Sequence, residues 1–407
     1  MADAPDLPFL PYGRQVIEDD DIAAVTEALR ADYLTTGPRV AEFETAFAET
    51  VGARHAVACS NGTAALHLAL MALDVGPDDT VIVPAITFAA TANAARYQGA
   101  EVVFADVDAV TGLMTPATLE AAMDRLQGRR LAAVLPVHLG GGIVDLPAIR
   151  RLADDAGAAV VEDACHALGT TMTFDNRPER VGDGRHSAMA CFSFHPVKTM
   201  TTGEGGMITT NDADLAGRMA LLRSHGITRE PDDYELRSMA FDPADGAANP
   251  WFYEMQNLGF NYRLPDVNCA LGLSQLAKLD RFVGVRRALT ARYRALLAPL
   301  APMVRAVEAR PGSDPALHLF IVLIDFAAAG LTRKAVMDAL KAKGVGTQVH
   351  YIPVPHQPYY RARYGEPDLP GADGYYARCL SLPLFAGMEM GDVERAVAAL
   401  AEVLDGR

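Results

Sequence analysis

Of the 407 residues only one is tryptophan and five are cysteine, and aromatic residues make up 7% of the chain. The cysteines, at positions 59, 165, 191, 269 and 379, are odd in number and scattered, with no Cys-x-x-Cys pair. That argues against a disulfide framework or a structural zinc site. Basic charge is in deficit: 36 Lys and Arg stand against 51 Asp and Glu, a net charge of −15. Nucleic-acid modules carry a basic footprint, so that class is disfavoured. No uncharged apolar run approaches the ~18 residues of a membrane span. The opening Met-Ala-Asp-Ala-Pro-Asp has neither the cationic start nor the apolar stretch of a signal peptide. A soluble, cytoplasmic protein is expected. Also missing are the Gly-x-Gly-x-x-Gly fingerprint and the Walker loop, which lowers nicotinamide and nucleoside triphosphate chemistry. What remains is a globular composition, 50% hydrophobic and 21% charged, long enough for two or three domains at ~150 residues each.

Between residues 55 and 210 short β-branched runs alternate with alanine-rich helical stretches. Strands are predicted at Ala56–Cys59, Thr80–Val83, Glu101–Phe104, Ala132–Pro136 and Ala158–Val161, with helices at Thr63–Leu73, Phe88–Tyr97, Pro116–Leu126 and Pro147–Ala156. This is the βαβ pattern of a largely parallel sheet with helices on both faces, whose functional residues gather at the carboxyl ends of the strands. Two further strands, Ala188–Phe194 and Gly206–Thr210, flank a glycine-rich loop, and residues 228–250 read as an irregular excursion. A long helical pattern from Pro265 to Leu300 opens the second half, followed by a strand at Leu317–Ile324 and helices at Arg333–Lys343 and from Asp392. The division is a large domain over residues 1–264 and a smaller α+β domain over residues 265–407 that begins with a long linking helix.

Three local patterns carry chemistry. Ser60-Asn61-Gly62-Thr63-Ala64-Ala65 follows the first strand and opens a helix; a polar N-cap explains it, and so does an anion cup made of exposed amides. Asp163, in Val160-Val-Glu-Asp163-Ala-Cys-His166, leaves a buried strand at its carboxyl end, where a carboxylate is either a helix cap or the partner of a cation. Cys165 and His166 adjoin, but neighbours on a strand face opposite ways, so the thiol reads as a small buried side chain. Lys198 sits in a tight loop before Gly203, Gly205 and Gly206; a surface lysine is the default, and a Schiff-base lysine is the alternative.

In the order Gly62-Thr63, Asp163, Lys198, these residues match what pyridoxal phosphate requires: an anion site, a carboxylate for the pyridine nitrogen and an amine for the aldehyde. With Phe192-Ser-Phe-His-Pro-Val-Lys198, Thr201-Thr-Gly-Glu-Gly-Gly206, Trp251-Phe-Tyr-Glu-Met-Gln256, Leu258-Gly-Phe-Asn-Tyr-Arg263 and Val349-His-Tyr-Ile-Pro-Val354, the chain resembles the DegT/DnrJ/EryC1/StrS sugar aminotransferases from about Tyr12 to its end. Within that family it is most similar to the members that make UDP-4-amino-4,6-dideoxy-N-acetyl-β-L-altrosamine for pseudaminic acid.

The resemblance implies a fold-type-I pyridoxal-phosphate transferase, with a three-layer α/β/α large domain on a mostly parallel sheet and a smaller C-terminal α+β domain. It implies that Lys198 and Asp163 are catalytic. Gly62, Thr63, Ala64, Phe88, His166, Ser193 and Asn261 would hold the cofactor, with Phe88 stacked on its ring and Asn261 reaching over from a second subunit of a homodimer. Phe88 by itself also reads as a core residue at a helix start, and Asn261 as a turn residue. Tyr12, the turn Leu34-Thr35-Thr36-Gly37 and His350-Tyr351-Ile352-Pro353 match substrate-contacting segments. The implied reaction moves the amino group of L-glutamate to C4 of a UDP-linked 4-keto-6-deoxy-N-acetylhexosamine. A GDP- or dTDP-linked 3- or 4-keto sugar is the alternative, and a non-catalytic relative binding the cofactor or a sugar nucleotide is a third reading. The related dehydratases, with histidine at the lysine position, are disfavoured by Lys198. No metal site is expected.

Overall fold

The computed structural model describes residues 8–174 and 176–406. The opening stretch read above for signal-peptide features lies outside the described residues. Seven strands form the central sheet: β1 (His55–Cys59), β2 (Asp79–Pro84), β3 (Glu101–Ala105), β4 (Arg130–Val134), β5 (Ala159–Asp163), β6 (Met189–Ser193) and β7 (Gly206–Thr210). Their order across the sheet is β1-β7-β6-β5-β4-β2-β3. All run parallel except β7, which is antiparallel to both β1 and β6. The strands are near-continuous apolar runs, and β2 is buried at every position, as a sheet covered on both faces requires.

Helices α1 (Asp19–Arg30), α2 (Pro38–Val51), α3 (Gly62–Ala72) and α4 (Ala89–Tyr97) belong to this body. Of these, α3 has the sequence of an interior helix, apolar all round. Only Thr63 and Met71 escape full burial, because the helix is wedged between the sheet and its neighbours α4 and Ala213–Arg223.

The long helical pattern predicted from Pro265 to Leu300 is two helices, α5 (Asp266–Leu276) and α6 (Leu279–Leu297), with a 3-10 turn at Ala298–Leu300. The two helices serve two cores, and the first turns of α6, at Leu279 and Val283, still pack in the core of α5. Cys269 and Leu276 of α5 pack with Phe43, Phe194 and Leu264, whereas Leu289, Tyr293 and Leu297 of α6 pack on a second, antiparallel sheet of Val304–Ala306, Phe320–Ile324 and Cys379–Leu382. The Tyr293 ring stacks on Phe320 with centroids 4.4 Å apart, and its hydroxyl donates to the Pro383 carbonyl at 2.9 Å. The chain start joins this second body: Leu10 exchanges backbone hydrogen bonds with Gly344 and Gly346, and the Leu384 amide donates to the Tyr12 carbonyl.

A buried carboxylate fastens the arm that carries Tyr12 to the rest. Asp21 of α1 is fully buried, where it accepts from Ser274 Oγ at 2.7 Å and Gln275 Nε2 at 2.8 Å and meets Lys278 Nζ at 2.7 Å. Gln275 in turn donates to the Val16 carbonyl at 3.0 Å and accepts from the Thr201 amide at 3.4 Å. Burial pushes the Asp21 carboxyl up, but Lys278 and the other donors outweigh it and hold it below the usual carboxylate range. Asp21→Asn turns an acceptor into a donor facing Gln275 and should cost about 2 kcal/mol of stability, read from urea midpoints. Because the folded carboxyl is the stronger acid, its contribution is complete above the ordinary carboxylate pKa and fades as pH falls through the folded value. The gap between wild type and variant should therefore narrow in acid, and a gap that widened there would refute this account.

Candidate active site

The carboxyl ends of β1, β5 and β6 and the start of β7 meet at one edge of the sheet. Gly206 lies in register with Cys59 on one side and Ser193 on the other. A Cβ at Gly206 would stand 2.4 Å from the Asn61 carbonyl oxygen, so only glycine lets the chain leaving β1 cross this strand end. The chain then enters α3. Asn61 caps the helix, its side chain accepting from the Ala64 amide at 2.8 Å, while the Ala65 amide donates to the Asn61 carbonyl. Among the described residues no acceptor pairs with the amides of Gly62 and Thr63, the remaining free donors of that helix start. Gly62 packs directly on Ser193, where a Cβ would come within 2.8 Å of the serine Cβ. Asn61 therefore caps the helix, and the two amides that follow it stay available to an anion.

Asp163 ends β5 and is 6% exposed. Its Oδ2 accepts from Thr91 Oγ1 at 2.7 Å and its Oδ1 from the Cys165 amide at 3.2 Å. Thr91 is itself bonded to Thr87 Oγ1 at 2.7 Å, one turn earlier. On the opposite face of the same strand Glu162 is sealed between His138 Nε2 at 2.8 Å and Ser187 Oγ at 2.5 Å, and the His138 amide donates to the Asp163 carbonyl at 3.1 Å. The carboxylate is thus held in place from both sides of the sheet. No cation pairs with it among the described residues.

The loop of Lys198 is knitted to the end of β6. The Thr202 amide and the Thr201 hydroxyl both donate to the Phe194 carbonyl, at 3.0 and 2.9 Å, and the Lys198 amide donates to the His195 carbonyl at 2.9 Å. Burial pushes the Lys198 amine below its ordinary value against the opposite pull of Cys165 and Asp163. The shift favours the neutral amine, the form that can attack a carbonyl.

These groups line one cavity of about 980 Å³. Phe88 stands at its rim, 61% exposed, its ring 6.1 Å from that of Tyr351; the alternative of a core phenylalanine is overturned. His166 accepts from the Gly140 amide through Nδ1 at 3.2 Å, so Nε2 carries the hydrogen that faces Tyr351 Oη at 3.2 Å. Burial drives His166 well below its ordinary pKa and His350 to about 3; both are neutral at pH 7. His350 is fixed by Ser381 Oγ at 2.8 Å and lies 5.5 Å from the Tyr12 ring. Cys165 and His166 both line the cavity. The alternation argument for them fails because β5 has already ended at Asp163.

Tyr12, Gly62, Thr63, Ala64, Asp163, Ser193 and Lys198 are thereby brought together with Phe88, His166, His350, Tyr351 and Ile352. Pro353 is buried next to Val354, whose amide donates to the Ala85 carbonyl, and does not line the cavity. Leu34, Thr35, Thr36 and Gly37 form an exposed turn whose Gly37 amide donates to Asp266 Oδ2 at 2.8 Å. Asn261 is exposed on a strip bridged to Ser224. Neither the turn nor Asn261 reaches the cavity of its own chain. Sequence reasoning missed Thr91 and His318. The spacing Thr87-x-x-x-Thr91 just past a strand was a usable signal for the first, whereas His318 is brought in only by long-range packing.

The model of the DegT/DnrJ/EryC1/StrS aminotransferase family matches residues 15–401. The chain belongs to this family. It is 38% identical over 401 residues, 98% of each chain, to the spore coat polysaccharide biosynthesis protein SpsC of Bacillus subtilis (strain 168). Among solved structures it is similar to Helicobacter pylori PseC, an aminotransferase involved in pseudaminic acid biosynthesis (TM-score 0.86, 26% identity, 98% of this chain and 100% of that one). It is also similar to DesI, solved with its TDP-sugar product (TM-score 0.82, 32% identity, 99% and 94%). The protein is a sugar aminotransferase of fold type I, and its cofactor is pyridoxal phosphate.

The residues present fit that cofactor. The free amides over Gly62 suit a phosphate, the buried Asp163 carboxylate lacks a cation that a protonated ring nitrogen would supply, and Lys198 is a buried amine for an aldehyde. Gly62→Ala would force Ser193 away from the cup. It should weaken cofactor binding about tenfold, the loss of one charge-assisted hydrogen bond, in a titration of apoprotein followed by absorbance. An unchanged affinity would place the phosphate elsewhere.

Proposed function

We propose that this aminotransferase transfers the amino group of L-glutamate to C4 of a UDP-linked 4-keto-6-deoxy-N-acetylhexosamine, giving UDP-4-amino-4,6-dideoxy-N-acetyl-β-L-altrosamine for pseudaminic acid or a related surface glycan. The observation that carries it is the likeness to PseC along 98% of the chain, joined to a cavity of about 980 Å³, at the upper end for small-ligand sites. When bound, pyridoxal phosphate supplies an electron sink for the pair left at carbon when a proton is removed. Asp163 would keep the ring nitrogen of the bound cofactor protonated. Lys198, its amine made less basic by burial, takes the proton from the donor's α-carbon in the first half-reaction and delivers one to sugar C4 in the second. His166 and Tyr351, neutral and bonded to each other, orient that wall without competing for the proton, while Phe88 and Tyr12 narrow the mouth against water.

A second reading, a dTDP-linked keto sugar, is favoured by the DesI likeness at 32% identity. The enzyme is read as a homodimer. Among the described residues Lys198 is the one Lys or Arg side chain lining the cavity, and two phosphate groups there require further donors. The strip that bears Asn261 exposes Trp251, Met255 and Leu258, the last 79% accessible, as an unpartnered interface would. Asn261 and the turn 34–37 are then contributions to the neighbouring site. Cytoplasmic residence is consistent with five unpaired cysteines and with the fact that no helix among the described residues is long and apolar enough to cross a membrane.

Lys198→Ala should lose the visible band of the bound cofactor and at least about 10³-fold in turnover, while melting normally. In wild type, glutamate should bleach that band and the UDP-keto sugar restore it; restoration by the dTDP-keto sugar alone selects the second reading. Mixed dimers of Lys198→Ala and Asn261→Ala chains should recover turnover that neither variant has by itself. Failure of that complementation, with dimers formed, removes Asn261 from the shared site.

A further inference from the structure

The wall opposite the phosphate cup holds a histidine that neither the sequence motifs nor the proposed steps employ. His318 lines the cavity, is 4% exposed, and its ring centroid lies 4.7 Å from that of His166. Its Nδ1 is sealed from solvent with no hydrogen-bond partner, whereas Nε2, also without a partner among the described residues, is not sealed and is the ring nitrogen that a ligand in the cavity can reach. A buried ring nitrogen without a partner costs free energy unless a ligand completes it.

Behind the ring stands Arg286, 1% exposed. Its Nη1 donates to the carbonyls of His318 at 3.3 Å, Leu317 at 3.4 Å and Leu384 at 3.0 Å, and its Nε has no partner. Among the described residues no carboxylate pairs with it, so a positive charge lies buried behind His318, answered only by carbonyl dipoles. Burial pushes Arg286 down to about 10, which still leaves it charged at pH 7. Such a charge is costly unless an anion is near. The negative groups lining the cavity are Asp163 and Glu204. Asp163 is committed to Thr91 and the Cys165 amide, and Glu204 is exposed on the loop after Lys198. The ligands that enter this cleft are anionic at two kinds of group: the carboxylates of the amino donor and the diphosphate of the sugar nucleotide. The His318 corner adjoins His166 and therefore the reacting end of the cavity, close to Asp163 and Lys198, where the amino donor must lie for its α-carbon to reach the lysine.

We propose that His318, backed by the buried charge of Arg286, is the subsite that takes a carboxylate of the amino donor, the imidazole N–H donating to the carboxylate oxygen. The inference rests on the aminotransferase reading and concerns the donor half-reaction alone. Arg286 acts as a positioning residue: it fixes the His318 backbone, and through Leu384, whose amide holds the Tyr12 carbonyl, it ties the same corner to the mouth of the cleft.

Glutarate has both carboxylates of the donor and no amine, so it can dock without reacting. Calorimetric titration of the holoenzyme with glutarate, and separately with UDP, tests the assignment. His318→Asn, shown to be folded by its melting temperature and its bound-cofactor band, should bind glutarate about tenfold more weakly and UDP as wild type does. Arg286→Lys keeps a charge but not the planar fork and should show the same pattern more weakly. Unchanged glutarate affinity in His318→Asn overturns the proposal, as does equal weakening of UDP, which would assign the corner to the diphosphate. A wild type that bleaches with glutamate yet shows no glutarate binding also overturns it. Absence of bleaching by any amino acid would instead count against the function proposed above.

Discussion

The hydrogen bond from Thr91 to Asp163 is the constraint around which the active site is arranged. A carboxylate at 6% exposure with two donors and no paired cation among the described residues is an expensive group. Its cost is sustained by a structure that leaves it nowhere to relax. Thr91 is fixed by Thr87, β5 is fixed from behind by the Glu162, His138 and Ser187 cluster, and the Cys165 amide closes the remaining oxygen. A site that holds a negative charge rigid and unanswered is preorganised for a positive ligand. The same logic applies at the other end of the cavity with the sign reversed, where the amides over Gly62 are free donors waiting for an anion. Between these two poles stands Lys198, whose amine burial pushes below its ordinary pKa.

The parts of this arrangement that were legible in the sequence are those in which local chemistry and local geometry coincide. Gly62 after a strand, Asp163 at the end of a buried run and Lys198 in a glycine-rich loop each break a pattern, and a costly residue at a strand end is visible without knowing the fold. The βαβ alternation placed the strands well, because a sheet covered on both faces writes itself as short continuous apolar runs. Where the sequence misled, a one-dimensional rule was applied past its range. Alternation was extended to Cys165 and His166 although β5 stops at Asp163. Helical periodicity continues through Ala277 and Lys278, where the chain ends one helix at Leu276 and starts the next at Leu279. Phe88 reads as a core residue at a helix start, and its place at the rim depends on where β2 delivers the chain. Thr91 and His318 were missed because what defines them is the partner across the cavity, 72 residues away for Thr91 and Asp163.

The two bodies of the protein divide the work along the same line. The large one supplies Gly62, Asp163, Ser193 and Lys198, which sit at strand ends, on the first turn of a helix or in the hydrogen-bonded loop after β6. The wall formed by His318, His350 and Tyr351, with Tyr12 from the chain start, comes from segments held mainly by the second sheet and by buried polar anchors: Arg286, Ser381 and the Asp21 to Lys278 cluster. These anchors are directional bonds to single backbone or side-chain atoms, and each fixes a loop that apolar packing alone would leave free to slide. A reaction that accepts two unlike substrates in turn at one lysine needs a rigid pole for the chemistry and a separately specified wall for recognition. Substitutions in the wall can then change which sugar or donor is admitted without disturbing Asp163, so substrate range within such a fold can diverge while the reaction stays the same.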